Sequence, residues 1–119
     1  MRELNNPFLG HPGYNCFGCN PANPLGLQMS FFEEGEQVLS FWEPRDDYQG
    51  FNDVLHGGIQ ATLMDELASW YIFVKLHTSG MTQGLDVRYH HAVRTTGGRI
   101  TLVAELQRSE EHTSELQSL

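Results

Sequence analysis

No stretch of this chain approaches the roughly 20 consecutive apolar residues that a bilayer-spanning helix requires, and the opening Met1-Arg2-Glu3-Leu4-Asn5-Asn6-Pro7 lacks the apolar run of a secretory signal. Basic residues are scarce, seven Lys and Arg against fifteen Asp and Glu, for a formal net charge of −8. Such a chain repels polyanions at long range, so binding to nucleic acid by neutralising its phosphates is not expected. A phosphate-bearing ligand would need a local basic patch. Cysteine is limited to Cys16 and Cys19, too few for the disulfide framework of a small secreted domain. The expectation is a cytoplasmic protein with neither membrane nor nucleic acid as partner.

What is present suits one globular domain: 119 residues, of which 39% are hydrophobic, can form a single core but not two. Residues 1–24 are rich in Asn, Pro and Gly and read as an irregular segment ordered only by docking. Leu27, Met29 and Phe31, then Val38 and Phe41, flank the turn-like Glu33-Glu34-Gly35-Glu36, which predicts a β-hairpin ended by Pro44. Residues 45–52 form a polar loop. From residue 59 to about residue 77 there is no Pro or Gly, and Ile59, Leu63, Leu67, Trp70 and Val74 recur at helical spacing. One long helix with a single apolar face follows, stopped by Ser79-Gly80. Leu85, Val87 and Tyr89 then alternate with polar residues, and after Thr95-Thr96-Gly97-Gly98 so do Ile100, Leu102, Ala104 and Leu106, predicting two antiparallel strands.

The order predicts an α+β domain, one long central helix wrapped by an antiparallel sheet. Residues 108–119 show no strand alternation, and Arg108-Ser109-Glu110-Glu111-His112-Thr113-Ser114-Glu115-Leu116-Gln117-Ser118 is identified as the reading-frame translation of a common sequencing adapter. The expected division is therefore an irregular segment at 1–24, an incomplete domain at 25–107 truncated at its C-terminus, and a non-native tail at 108–119.

The strongest chemical pattern is His56-Gly57-Gly58 at the start of the helix, with Asp65 and Glu66 two turns on. Two glycines at a helix N-terminus leave N–H groups uncovered at the positive end of the macrodipole, where an oxyanion would be stabilised. Taken alone, the doublet reads more readily as a tight turn or close packing. Asp65 shares its side of the helix with Ala61, Ala68 and Ile72, surroundings in which a carboxylate could activate water or attack a carbonyl. Glu66 is assigned to solvent. Gly57 and Asp65 lie about 12 Å apart along a helix axis, so if both act on one carbonyl, two chains must cooperate across a two-fold axis.

At this point Tyr48-Gln49-Gly50-Phe51-Asn52-Asp53-Val54-Leu55-His56-Gly57-Gly58-Ile59-Gln60-Ala61-Thr62-Leu63-Met64-Asp65-Glu66 resembles the core motif of the PaaI-like hotdog-fold acyl-CoA thioesterases, in which His-Gly-Gly opens the central helix and an acid follows nine residues after the His. Cys16-Phe17-Gly18-Cys19-Asn20-Pro21 with Leu25-Gly26-Leu27 is similar to the leader of one bacterial branch. The likeness runs from about Asn15 to Leu106. It implies a hydrolase that cleaves acyl-CoA thioesters within a homodimer or homotetramer. The Gly57 amide would polarise the carbonyl beside Gly58, Asp65 of the partner copy would be base or nucleophile, and His56 would position them.

The chain departs from the family pattern at Asp53, where Gly is frequent, and at Tyr89-His90-His91-Ala92-Val93, which replaces an aromatic, basic, Pro sequence. Substrate contacts are assigned to Gln49, Leu55, Met64, Arg88 and Arg94, although Gln49 better suits a solvent-facing loop and the arginines, with Arg99, equally suit a soluble strand face. His90 and His91 are expected on opposite faces of a strand as a surface pair. Cys16 and Cys19 with His11 lack an evident fourth ligand, so no metal site and no cofactor are expected. The alternative function is a non-catalytic acyl-CoA binding or regulatory hotdog module.

Overall fold

The structure, a computed structural model, describes residues 1–108 and 114–118, the strand at 114–118 by its backbone. Strands β1 (Arg2–Glu3), β2 (Phe32–Glu34), β3 (Gln37–Trp42), β4 (Ile100–Arg108) and β5 (Ser114–Ser118) form one antiparallel sheet in sequential order, and a single long helix, α1 (Gly57–Lys75), packs on it. This is the α+β plan of one helix on an antiparallel sheet.

The helix forms where the apolar spacing places it. Leu63, Leu67 and Trp70 are buried, Ile59 and Val74 pack against the same core from its margin, and Tyr71 joins them. Each fully buried Leu of this face contributes about 1.5–3 kcal/mol relative to exposure. The helix is shifted two residues toward the N-terminus of the expected span: His56 caps it, and it ends at Lys75, not at Ser79-Gly80. Leu76 is the C-cap, and His77 takes a left-handed φ of 54°. That conformation turns the chain out of the helix one residue beyond the cap.

The first hairpin is present with a narrower strand than expected. Phe32 pairs with Leu39 and Glu34 with Gln37 around Gly35, whose φ of 57° a glycine adopts without a Cβ clash. Leu27, Met29 and Phe31 are buried but lie before β2, and their backbone is held by loop partners: Leu27 N–H donates to Phe17 O (2.8 Å) and Met29 N–H to Gly18 O (2.9 Å). Phe31 stacks on Trp70 with ring centroids 4.5 Å apart, and the Trp42 indole N–H donates to Leu27 O at 2.9 Å. The irregular N-terminal segment is thus docked into the core, with Cys19 and Asn20 buried.

One expectation is corrected. Leu85, Val87 and Tyr89 do not form a strand. β4, their expected partner, pairs with β3 on one side and β5 on the other. Both of its hydrogen-bonding edges are therefore occupied, and residues 81–92 are left without a ladder and mostly exposed. In the tail, which the expected domain at 25–107 leaves out, residues 114–118 pair with β4 from Ala104↔Ser118 to Arg108↔Ser114. An edge strand offers N–H and C=O groups to any extended segment whatever its side chains. Residues 109–113 and 119 of that tail lie outside the described residues.

Candidate functional site at the helix start

The loop before α1 is built to present the helix start. Gln49 and Leu55 form an isolated antiparallel bridge, Gly50 N–H donates to Val54 O (2.8 Å), Leu55 N–H to Val93 O (2.7 Å) and His56 N–H to Tyr48 O (2.9 Å). A Cβ on Gly50 would come within 3.2 Å of the His56 ring, so glycine there lets the loop pass close to the histidine. His56 is the N-cap, and its Nδ1 accepts the Gly58 N–H at 2.9 Å. The first-turn amides of a helix have no intrahelical acceptor. With that of Gly58 satisfied by His56, the Gly57 N–H has no acceptor among the described residues.

Tyr89 covers this end. Its hydroxyl donates to Gly57 O at 2.7 Å, and a Cβ on Gly57 would sit 3.5 Å from the ring. Gly57, Leu55, Val54 and Gln60 with Tyr89, His90, His91 and Ala92 line a cleft of about 290 Å³. His90 and His91 were expected on opposite faces of a strand; with no strand there, both line the cleft.

Asp65 is half-buried two turns further along, and Thr82 Oγ1 donates to its Oδ1 at 2.6 Å. It is not among the residues lining the Gly57 cleft. Within one chain the two groups stay apart, as the helical rise requires.

Glu66 does not have the solvent exposure expected of it. It is half-buried, and its Oε1 accepts from Cys16 Sγ at 3.4 Å. Its carboxyl packs so tightly over Gly18 that a Cβ there would be 2.4 Å from Cδ. Cys19 N–H donates to Cys16 Sγ (3.4 Å), Tyr14 Oη lies 2.9 Å from Cys19 Sγ, and Asn6 Nδ2 donates to Tyr14 Oη at 2.8 Å. Burial, with the hydrogen bonds to Cys16 and Glu66 adding to it, pushes the Cys19 thiol up to about 12, and burial raises the Tyr14 phenol above its ordinary value. The ligating atoms of Cys16, Cys19 and Glu66 lie within 4.8 Å of one another. His11 is exposed and outside the cluster.

A crystal structure of a thioesterase superfamily protein matches this chain with a TM-score of 0.65 at 21% identity, over 85% of this chain and 58% of that one. The two share a fold. The chain spans 58% of that protein's length. No family model matches the chain, and no curated protein matches it in sequence. The hotdog-like plan, one long helix on an antiparallel sheet, is thus shared with a thioesterase superfamily protein.

Around that shared plan the remaining assigned residues are distributed unevenly. Leu55 is fully buried and serves the core as well as the cleft, and Met64 packs at the core margin. Gln49 is exposed, and its Oε1 accepts the Asp53 N–H at 3.2 Å, so it braces the loop. Arg94 is tied to Asp53 through Nε at 2.8 Å and a second contact at 2.6 Å. Arg99 lies over the Phe41 ring at 4.7 Å. Arg88 is exposed, with Asp86 3.9 Å away. Asp53 explains the departure at its position: its φ of 56° is one that glycine adopts most easily, and Asp tolerates it better than most residues. Its carboxylate accepts from Thr95, Thr96 and Arg94.

Proposed function

We propose that this chain hydrolyses acyl-CoA thioesters to a free acid and CoA at sites formed between two copies. The thioester oxygen accepts a hydrogen bond from the Gly57 amide of one copy. Asp65 of the second copy acts as base toward water or as nucleophile toward the carbonyl. As the tetrahedral oxyanion develops, the Gly57 N–H and the helix dipole behind it stabilise the charge. CoA then leaves as its thiol.

The observation that carries this reading is the Gly57 N–H, left without an acceptor among the described residues at the start of a 19-residue helix beside the Tyr89-lined cleft. The fold shared with a thioesterase superfamily protein supports it. His56 acts as a positioning residue, because its ring takes the Gly58 amide and orients the first turn. Gly58 therefore belongs to the cap and does not supply a second oxyanion donor. Arg88, exposed and held only loosely by Asp86 at 3.9 Å, is the better candidate for the CoA phosphates, since Arg94 is engaged with Asp53 at 2.6 Å. Met64, partly buried at the core margin, borders the acyl group.

The test is a hydrolysis assay over short aliphatic and aromatic acyl-CoA esters. Asp65→Asn and Asp65→Ala are expected to lower kcat by about 10²–10⁴-fold, the usual contribution of a positioned acid or base. Unaltered turnover in both variants would remove Asp65 from the mechanism. Acyl-CoA binding with no turnover by the unsubstituted chain would favour a binding module.

A further inference from the structure

We propose that Cys16, Cys19 and Glu66 form a binding site for one thiophilic divalent ion, of which zinc is the chemical archetype. The three ligating atoms come from the N-terminal loop and from α1, and they already lie within 4.8 Å of one another. A tetrahedral zinc with Zn–S near 2.3 Å and Zn–O near 2.1 Å sets its S···O edges at about 3.6 Å and its S···S edge at about 3.8 Å. The Cys16 Sγ to Glu66 Oε1 separation of 3.4 Å matches the first of these. Two thiolates select zinc over calcium or magnesium, which take oxygen ligands.

The surroundings fit the same centre. Cys16 and Cys19 are separated by two residues on a tight loop in which Cys19 N–H points to Cys16 Sγ and Asn20 N–H donates to Cys16 O at 3.1 Å. An amide aimed at sulfur stabilises a thiolate and leaves its remaining lone pairs for the ion. Tyr14 Oη, which accepts from Asn6, has its own hydrogen available for Cys19 Sγ; this is an outer-shell donor of the kind that orients metal ligands. Gly18 lacks the Cβ that would collide with the Glu66 carboxyl, so the carboxylate can reach the pair of sulfurs.

Cys16, Cys19 and Glu66 also line a cavity of about 280 Å³ with Tyr14, Ser69 and Trp70. The fourth coordination position opens into that cavity and takes water. Binding replaces two thiol protons: both cysteines bind as thiolates, Glu66 binds as carboxylate, and two protons go to solvent for each ion bound. The centre lies apart from the Gly57 cleft, with which it shares no lining residue. It joins the docked N-terminal loop to the helix that carries Asp65.

The test uses the full chain, reduced, stripped with a chelator and titrated with Co²⁺ alone. One ion per chain, an absorption from thiolate-to-cobalt charge transfer, and stoichiometric displacement by Zn²⁺ are expected. Cys16→Ser or Cys19→Ser should remove most of that absorption. Glu66→Gln should keep it and weaken Co²⁺ binding at least about tenfold. Gly18→Ala alters no ligand; it should weaken binding as Glu66→Gln does, by pushing the carboxyl aside, with an unchanged circular dichroism spectrum. Absence of the charge-transfer band in the unsubstituted chain overturns the site. So does Co²⁺ affinity that Glu66→Gln and Gly18→Ala both leave unaltered, even if the cysteine variants fail to fold.

Discussion

Asp53 holds a left-handed backbone and gathers hydrogen bonds from Thr95, Thr96 and Arg94. The Thr96 hydroxyl, followed by the Arg94 guanidinium, lowers its carboxyl to about 2. Because the folded value is depressed below the unfolded one, about 3.9, the stabilisation is fully present above the unfolded value. It fades as pH falls through about 2. Amide exchange at Thr96, whose N–H donates to Asp53 Oδ1, is expected to quicken across that acid window once corrected for intrinsic rates. In Asp53→Gly, which keeps the backbone but removes the carboxylate, exchange should already be fast at neutral pH. Gly57 offers a second test at this scale. A methyl there meets the Tyr89 ring at ordinary contact distance, 3.5 Å, so Gly57→Ala should leave the Tm within a few degrees while reducing kcat by obstructing the amide. A large loss of Tm would show that Gly57 serves packing instead.

The helix is the element most legible in the sequence, because five apolar residues at helical spacing leave little choice of face. Leu67 is completely buried at its centre, whereas Val74 is only partly buried near its end. Leu67→Ala is expected to cost about 2–5 kcal/mol in denaturant unfolding, and Val74→Ala clearly less; equal costs would contradict the assigned face. The segment at 81–92 was less legible. Its alternation is genuine, but alternation specifies a strand only where a partner edge is open, and both edges of β4 are taken. Glu66 failed for a related reason. Two adjacent acids on a helix point in different directions, and helical periodicity gives no sign that the Cys16 loop folds back over one of them.

For the assembled molecule, the proposed chemistry requires two copies, and mixing inactive variants tests it. In a heterodimer of Gly57→Ala with Asp65→Asn, one site carries both substitutions and the other carries neither. With random exchange, half the dimers are mixed and each keeps one of two sites, so activity should recover to about a quarter of the unsubstituted level. No recovery, with heterodimers present by native mass spectrometry, would place both groups in the same chain's site or outside the chemistry. None of the described helices is long and apolar enough to cross a membrane.

By itself the amino-acid order determined the long helix, its buried face, the Gly35 hairpin and the glycine start beside His56, because these are local: spacing, capping and turn chemistry act over a few residues. Tertiary structure alone decided that Tyr89 covers the Gly57 carbonyl, that Arg94 serves Asp53, that residues 81–92 have no ladder, and that Glu66 meets Cys16. Those outcomes depend on contacts between residues tens of positions apart, as in the separation of 50 between Cys16 and Glu66. Side-chain type and periodicity state what a residue can do, and only the closing of the chain supplies the neighbour with which it does it.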